Sequence, residues 1–175
     1  LSEEQAAKVS EEANAGLGKQ PKAYLDQRSD VGFCYYVYIV QCADDTLYTG
    51  ITTDVVRRMI EHRLGMVAGA KYTRSHGVVD LLGLWLVPDR SQASSLECRI
   101  KALSRQQKID LVTHPDHIQP ISQEASNRAL INVQVVPDQV RDALWQEVLL
   151  REEAELIFQV KHHVRCVKGE FCLAG

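Results

Sequence analysis

No apolar run in this chain approaches the roughly 18 residues that a membrane-spanning helix needs. The longest, Leu81-Leu82-Gly83-Leu84-Trp85-Leu86-Val87, is strand-sized. No secretory signal is read at the N-terminus, and the chain begins at Leu1 rather than Met, as a trimmed chain or a fragment does. The five cysteines (Cys34, Cys42, Cys98, Cys166, Cys172) are scattered, odd in number and without a C-x-x-C pair. That argues against a disulfide framework and fits a reducing, cytoplasmic compartment. Internal repeats and low-complexity segments are also missing. What is present is ordinary for a globular chain of 175 residues, 45% hydrophobic and 25% charged. Those totals suit one domain, or one domain with a small appendage.

The net charge of −3 argues weakly against a nucleic-acid partner, but its distribution reverses the sign. From Arg57 to Lys108, ten basic residues stand against Glu61, Asp80, Asp89 and Glu97. A basic centre between acidic ends attracts phosphate locally. Metal-ligand spacing is weak elsewhere. His162, His163, Cys166 and Cys172 match no zinc pattern, His114 and His117 beside Pro115 read as surface residues, and Cys98 reads as a core or half-buried thiol.

Ser2-Glu3-Glu4-Gln5 reads as a capping box opening a helix to about Ala15, followed by a linker to Asp30. Residues 33–42 and Leu47–Ile51 carry strand composition. Asp54 is placed to cap a helix over Val55–Leu64, with Gly65 at its C′ position. Val55, Val56, Met59 and Ile60 make its apolar stripe, leaving Arg57, Arg58, Glu61, His62 and Arg63 off it. Gly65–Gly77 reads as a loop. Val78–Val87 is a strand whose continuous apolar run suggests burial on both faces. Ser91 is placed to cap a helix through Leu103, and Ser104-Arg105-Gln106-Gln107 is a second capping box. In the remainder, Ile131–Val136 reads as a strand, Asp138 to about Glu155 as a helix, and the alternation Phe158, Val160, His162, Val164, Cys166 as another strand. The division is therefore 1–32, 33–112 and 113–175, the last a small β-α-β appendage of unknown role.

Tyr38 and Tyr48 flank the turn of the first hairpin. Cross-strand partners share a face. A two-residue loop, Asp44-Asp45, would put the tyrosines on opposite faces. A three-residue loop, Ala43-Asp44-Asp45, pairs Cys42 with Thr46 and puts Tyr38 opposite Gly50, on the same face as Tyr48. It requires Asp45 in the left-handed region, as in a type I turn with a G1-type bulge. Taken alone, both tyrosines also read as packing residues.

With the next helix added, the pattern resembles the GIY-YIG nuclease domain, closest to the small stand-alone bacterial members. The residues that carry the resemblance are Tyr36-Val37-Tyr38, Leu47-Tyr48-Thr49-Gly50-Ile51-Thr52, Asp54, Arg57-Arg58, Glu61-His62, Ala70 to Arg74, Asp89-Arg90-Ser91, Glu97, Ile100-Lys101, Leu103-Ser104-Arg105 and Lys108. The resemblance covers residues 34 to 112. It implies an α+β fold with a three-stranded antiparallel sheet flanked by helices, and Mg²⁺- or Mn²⁺-dependent hydrolysis of DNA, in repair, recombination or processing. It makes Tyr38 and Tyr48 the paired active-site tyrosines, Arg58 the phosphate-binding arginine and Glu97 the metal-binding carboxylate. His62, one turn after Arg58, joins the catalytic set. Arg57, Lys71, Tyr72, Arg74, Lys101 and Arg105 are the candidates for nucleic-acid contact.

Those residue types suit the chemistry. A guanidinium and a divalent cation stabilise the charge that grows on a phosphodiester in the transition state, and one carboxylate plus water is ordinary Mg²⁺ ligation. The sequence also departs from the pattern. Tyr36 and Val37 alter the first motif, and Thr49 replaces the isoleucine of the second. Arg63 stands where the small members often have Asn, and His76 and Val78 replace an Arg and a Pro. A late polar residue, often Asn, is not placed. The alternative function is a DNA-binding module of this fold with little cleavage. Residues 113–175 are candidates for a protein partner or self-association.

Overall fold

The computed structural model of the protein describes residues 35–66, 71–123 and 130–170, with the side chains of Lys71, Arg74 and residues 158–170 outside that set. The expected N-terminal helix and linker lie outside the described residues. Strands β1 (Tyr35–Cys42), β2 (Leu47–Thr52), β3 (Val78–Val87) and β4 (Gln134–Val135) form one antiparallel sheet in the order β2-β1-β3-β4. The helices are α1 (Val55–Arg63), α2 (Lys71–His76), α3 (Arg90–Ala102), α4 (Arg105–Thr113), α5 (Ile118–Gln123) and α6 (Asp138–Glu170), with a 3-10 turn at Pro115–His117. No described helix is long and apolar enough to cross a membrane.

The α+β class is as expected, but the sheet has four strands rather than three. The fourth comes from the C-terminal segment, where β4 pairs with Trp85 and Leu86 of β3. That pairing moves β3 to the interior of the sheet, which its unbroken apolar run requires. The second expected appendage strand, Phe158–Cys166, is instead helical and continues α6. Ile157, Val160, Val164 and Val167 fit a helical period as well as alternate residues fit a strand. No proline or glycine interrupts the chain from Asp138 to Lys168, so extending a formed helix costs less than finding a new strand partner.

Two further expectations are corrected. Lys71–His76 within the expected loop is a short helix, closed by Gly77 at φ 63°. The cap of α3 is Asp89 rather than Ser91, because Pro88 ends β3 and the Asp89 carboxylate accepts the Gln92 N–H at 2.9 Å. Asp54 caps α1 by accepting from Arg57 N–H, and Ser104 and Gln107 form the reciprocal box that opens α4.

The sheet separates two cores. On one face, Tyr38, Val40, Leu84 and Leu86 pack with Val55 and Met59 of α1 and with Leu144, Trp145 and Val148 of α6. On the other, Val37, Ile39, Trp85 and Val87 pack with Leu96 and Ile100 of α3, Leu111 of α4 and Ile118 of α5. Arg63 at the end of α1 ties in the C-terminal helix. Its guanidinium lies 5.4 Å from the Trp145 ring, pairs with Glu152 and donates to the Val78 carbonyl. From α6, Arg141 donates to the Leu82 carbonyl at 3.0 Å, at a bulge where Ile39 opposes Gly83 but Val40 opposes Leu81.

Thr49 lies opposite Ile39 on the α3 side of the sheet, 3% exposed. Its hydroxyl has no hydrogen-bond partner. A buried hydroxyl left unpaired costs about 1–3 kcal/mol. Thr49→Val keeps the shape and removes the orphan, so urea unfolding should show a gain of about 1 kcal/mol. A lower denaturation midpoint would mean that the hydroxyl is satisfied.

Candidate active site

The site begins with the parity of the hairpin turn. Asp45 has φ 64°, the Cys42 N–H donates to the Thr46 carbonyl, and Tyr38 faces Gly50 while Val40 faces Tyr48. This is the three-residue loop, and it places both tyrosines on one face. Three contacts hold Asp45 in its uncommon conformation. Arg105 donates to its carbonyl at 2.5 Å and to its carboxylate at 2.7 Å, and Gln41 donates to the carboxylate at 2.6 Å. Gly50 supplies the space, since a Cβ there would overlap the hydroxyl and ring of Tyr38.

Tyr38 is fully buried. Its hydroxyl lies 2.8 Å from His62 Nε2 and accepts from Arg58 Nε at 3.4 Å. Arginine only donates, so the phenol proton is directed at His62 and the unprotonated Nε2 accepts it. His62 Nδ1 then carries the other proton and donates to Thr73 Oγ1 at 2.7 Å. A directed chain results: Arg58 to Tyr38, Tyr38 to His62, His62 to Thr73.

Burial sets the electrostatics. It pushes the Tyr38 phenol well above its ordinary range. The Arg58 hydrogen bond and charge oppose that shift, while Tyr48 and Glu97 add to it. Burial, then the Arg58 charge, pull His62 from 6.5 down to about 4, with Glu61 opposing. The resting site therefore holds a neutral phenol and a neutral imidazole.

Tyr48 completes an aromatic cluster, its ring centroid 6.4 Å from Tyr38 and 5.7 Å from His62. On its outer side it stacks with Tyr72 at 6.0 Å, and Tyr72 stacks on His76 at 4.0 Å. The exposed Tyr72 donates its hydroxyl proton to Thr46 Oγ1. Glu97 sits on α3, which packs against the edge strand β2. Its charge bears on Tyr38, and its carboxylate accepts from Lys101 at 2.7 Å.

The other candidates for nucleic-acid contact divide by location. Arg57 is exposed and pairs with Glu61 at 2.6 Å, and Lys101 is half exposed beside Glu97. Arg105 holds the Asp45 turn. Lys71 and Arg74 lie on α2 with Tyr72, their side chains outside the described residues.

Three contributors to this geometry lie outside the expected set. Glu61 is buried and binds Arg57 and Arg58, the latter at 3.0 Å, so it aims the arginine. Thr73, fully buried, accepts the His62 Nδ1 proton and completes the chain, and Gly50 seats the phenol. The i,i+3 and i,i+4 spacing of Arg58 and Arg57 to Glu61 is a signal that sequence offers. Glu61 and His62, expected off the buried stripe of α1, are inside because polar partners meet them there. Cys98, expected core or half-buried, is exposed.

Comparison with known proteins gives consistent results. A family model described as the GIY-YIG catalytic domain matches residues 34–110. A UPF0213 protein of Desulfotalea psychrophila is 53% identical over 78 residues, covering 45% of this chain and 70% of its own length. The UPF0213 protein YhbQ of Salmonella arizonae is 41% identical over 98 residues, covering 56% of this chain and 96% of its own. The solution NMR structure of a UPF0213 protein from Bacillus halodurans is 39% identical, covers 54% of this chain and 98% of its own, and superposes with a TM-score of 0.32.

Two measurements test this geometry. Gly50→Ala should displace the Tyr38 ring and weaken its bond to His62, visible as a changed His62 imidazole NMR signal; an unaltered signal would refute the seat. In the wild type, NMR titration should find His62 neutral, protonated on Nδ1, down to a pKa of about 4. The unfolded imidazole titrates near 6.5, so stability is whole above that pH. It falls by up to about 3 kcal/mol as pH drops to 4. A titration midpoint near 6.5 would contradict the burial argument.

Proposed function

The chain belongs to the GIY-YIG family, and on that premise we propose that it is a divalent-metal-dependent endonuclease hydrolysing DNA phosphodiester bonds. The observation that carries the reading is the convergence on Tyr38 of Arg58 and His62 by hydrogen bond, and of Tyr48 by ring contact. A phosphate at Arg58 meets a fixed guanidinium, aimed by Glu61, in a partly buried setting where charge is worth more than in water. The phosphate's negative charge offsets the guanidinium that depresses His62 and makes the imidazole a better proton acceptor. The proton path is then short. Tyr38 is closed to solvent at rest, so the attacking water must enter beside the partly exposed Tyr48; Tyr38 then takes its proton as its own proton moves to His62 Nε2. Tyr48 borders this path and orients the water.

Glu97 is the residue to hold the metal. It offers hard oxygen donors, and its Lys101 partner is half exposed and free to swing away. Bound there, Mg²⁺ or Mn²⁺ supplies Lewis acidity to the phosphate and the leaving oxygen. Tyr72 and His76 offer flat rings beside the site, and Arg57, Lys71, Arg74 and Lys101 offer charge to the DNA backbone. We read the setting as DNA repair, recombination or processing in the cytoplasm, in keeping with the free thiols of Cys42 and Cys98.

The test is cleavage of single-stranded, duplex and branched DNA with Mg²⁺, Mn²⁺ or EDTA. Cleavage should require metal. Arg58→Ala should lower it about 10²–10³-fold, and Glu97→Ala should abolish it while DNA binding persists. Tyr38→Phe should be severely impaired. Binding without cleavage on every substrate would favour the DNA-binding module, and full activity in both Tyr38→Phe and Tyr48→Phe would refute the tyrosine roles.

A further inference from the structure

A second group of ligand-type side chains gathers where α4 ends. Asp110 and His114 are one helical turn apart, and His117 follows in the 3-10 turn. The Asp110 carboxylate lies 3.2 Å from His114 Nδ1 and 2.8 Å from His117 Nδ1. The two imidazole rings stack with centroids 5.0 Å apart. One ligand atom from each residue can be chosen so that all lie within 4.8 Å of one another.

The backbone under these side chains is fixed. The His114 N–H donates to the Asp110 carbonyl at 2.8 Å and the His117 N–H to the His114 carbonyl at 2.9 Å. Between the two histidines, the Pro115 carbonyl accepts from the indole N–H of the fully buried Trp85 at 3.2 Å. The turn is thereby tied to the core, while the three side chains remain exposed and able to adjust.

We propose that Asp110, His114 and His117 form a binding site for a divalent transition metal of the zinc class, separate from the carboxylate at Glu97. Two imidazoles and one carboxylate are the donor set that zinc accepts, with water in the fourth position. Mg²⁺ prefers oxygen donors and is a poor match. Bonds of about 2.0–2.2 Å bring tetrahedral ligand atoms to roughly 3.4 Å apart. The Asp110 contacts to the two imidazoles are already that short, so only the widest pair, at most 4.8 Å apart, needs to close toward that spacing. Without the metal, these exposed contacts contribute little to stability. With it, the last turn of α4 is clasped to the turn that leads into α5.

The experiment is calorimetric titration of the EDTA-stripped full chain with ZnCl₂, in excess MgCl₂. The proteins compared are wild type, Glu97→Ala, Asp110→Asn, His117→Ala and the His114→Ala/His117→Ala double variant. Wild type and Glu97→Ala should each bind an equivalent of zinc that the double variant lacks. Asp110→Asn and His117→Ala should weaken that equivalent at least about tenfold. Cobalt substituted for zinc should give a visible ligand-field band that the double variant loses. Zinc uptake in the double variant equal to wild type would overturn the proposal, as would a wild type from which excess Mg²⁺ displaces all zinc. Matching thermal midpoints in EDTA would establish that the variants fold.

Discussion

A hydroxyl buried beneath a sheet must have its hydrogen bonds met, and the region around Tyr38 is organised by that requirement. The phenol is fully buried, so Arg58 and His62 stand where water would otherwise be. Each partner then needs one of its own. Arg58 is held by Glu61 and His62 by Thr73. Charge forces the same closure, because Glu61 inside the protein is tolerable only with the arginines that bind it. Removing any member leaves a buried donor, acceptor or charge without its complement, so the group is expected to behave as a unit rather than as independent contacts.

Backbone geometry serves the same end at longer range. Only an odd loop length brings Tyr48 to the face of Tyr38, and that loop requires a residue with positive φ. The sequence places Asp45 there rather than glycine, and Arg105 and Gln41 restrain it. Arg105 belongs to α4, so a helix on the opposite layer of the fold steadies the turn that sets the register of the site. Gly50 serves locally by leaving out a side chain. Position 49, between Tyr48 and Gly50, points into the other core and carries an unpaired hydroxyl, which places the threonine's cost on the far side of the strand from the tyrosine cluster.

Several of these relations were legible in the sequence because they rest on parity or on continuous hydrophobicity. The turn length decides which side chains share a face, and the unbroken run Leu81–Val87 can belong only to an interior strand or a buried helix. Glu61 and His62 were less legible. An amphipathic reading assigns polar residues outward and has no means of seeing that polar partners wait inside. Residues 158–166 misled for a different reason, since their apolar positions satisfy periods of 2 and 3.6 together. The helical outcome depends on continuity with the residues before them, which a local window does not include. The helix at Lys71–His76 is too short for a period to show.

The C-terminal segment extends this logic to the site's foundations. Strand β4 gives β3 its outer partner, and α6 covers the face that carries Tyr38 and Val40. The docking residue on α1 is Arg63, directly after His62, where the resemblance leads one to expect asparagine. Its guanidinium meets Trp145 and Glu152 on α6. One departure from the family pattern therefore corresponds to an added element that packs on the helix presenting Arg58 and His62. Two sets of contacts now fix α1: Tyr38 and Thr73 through His62 on one side, and α6 through Arg63 on the other. A helix whose side chains must hold a buried phenol at hydrogen-bond distance gains from this, because rotation about its axis would break both sets at once.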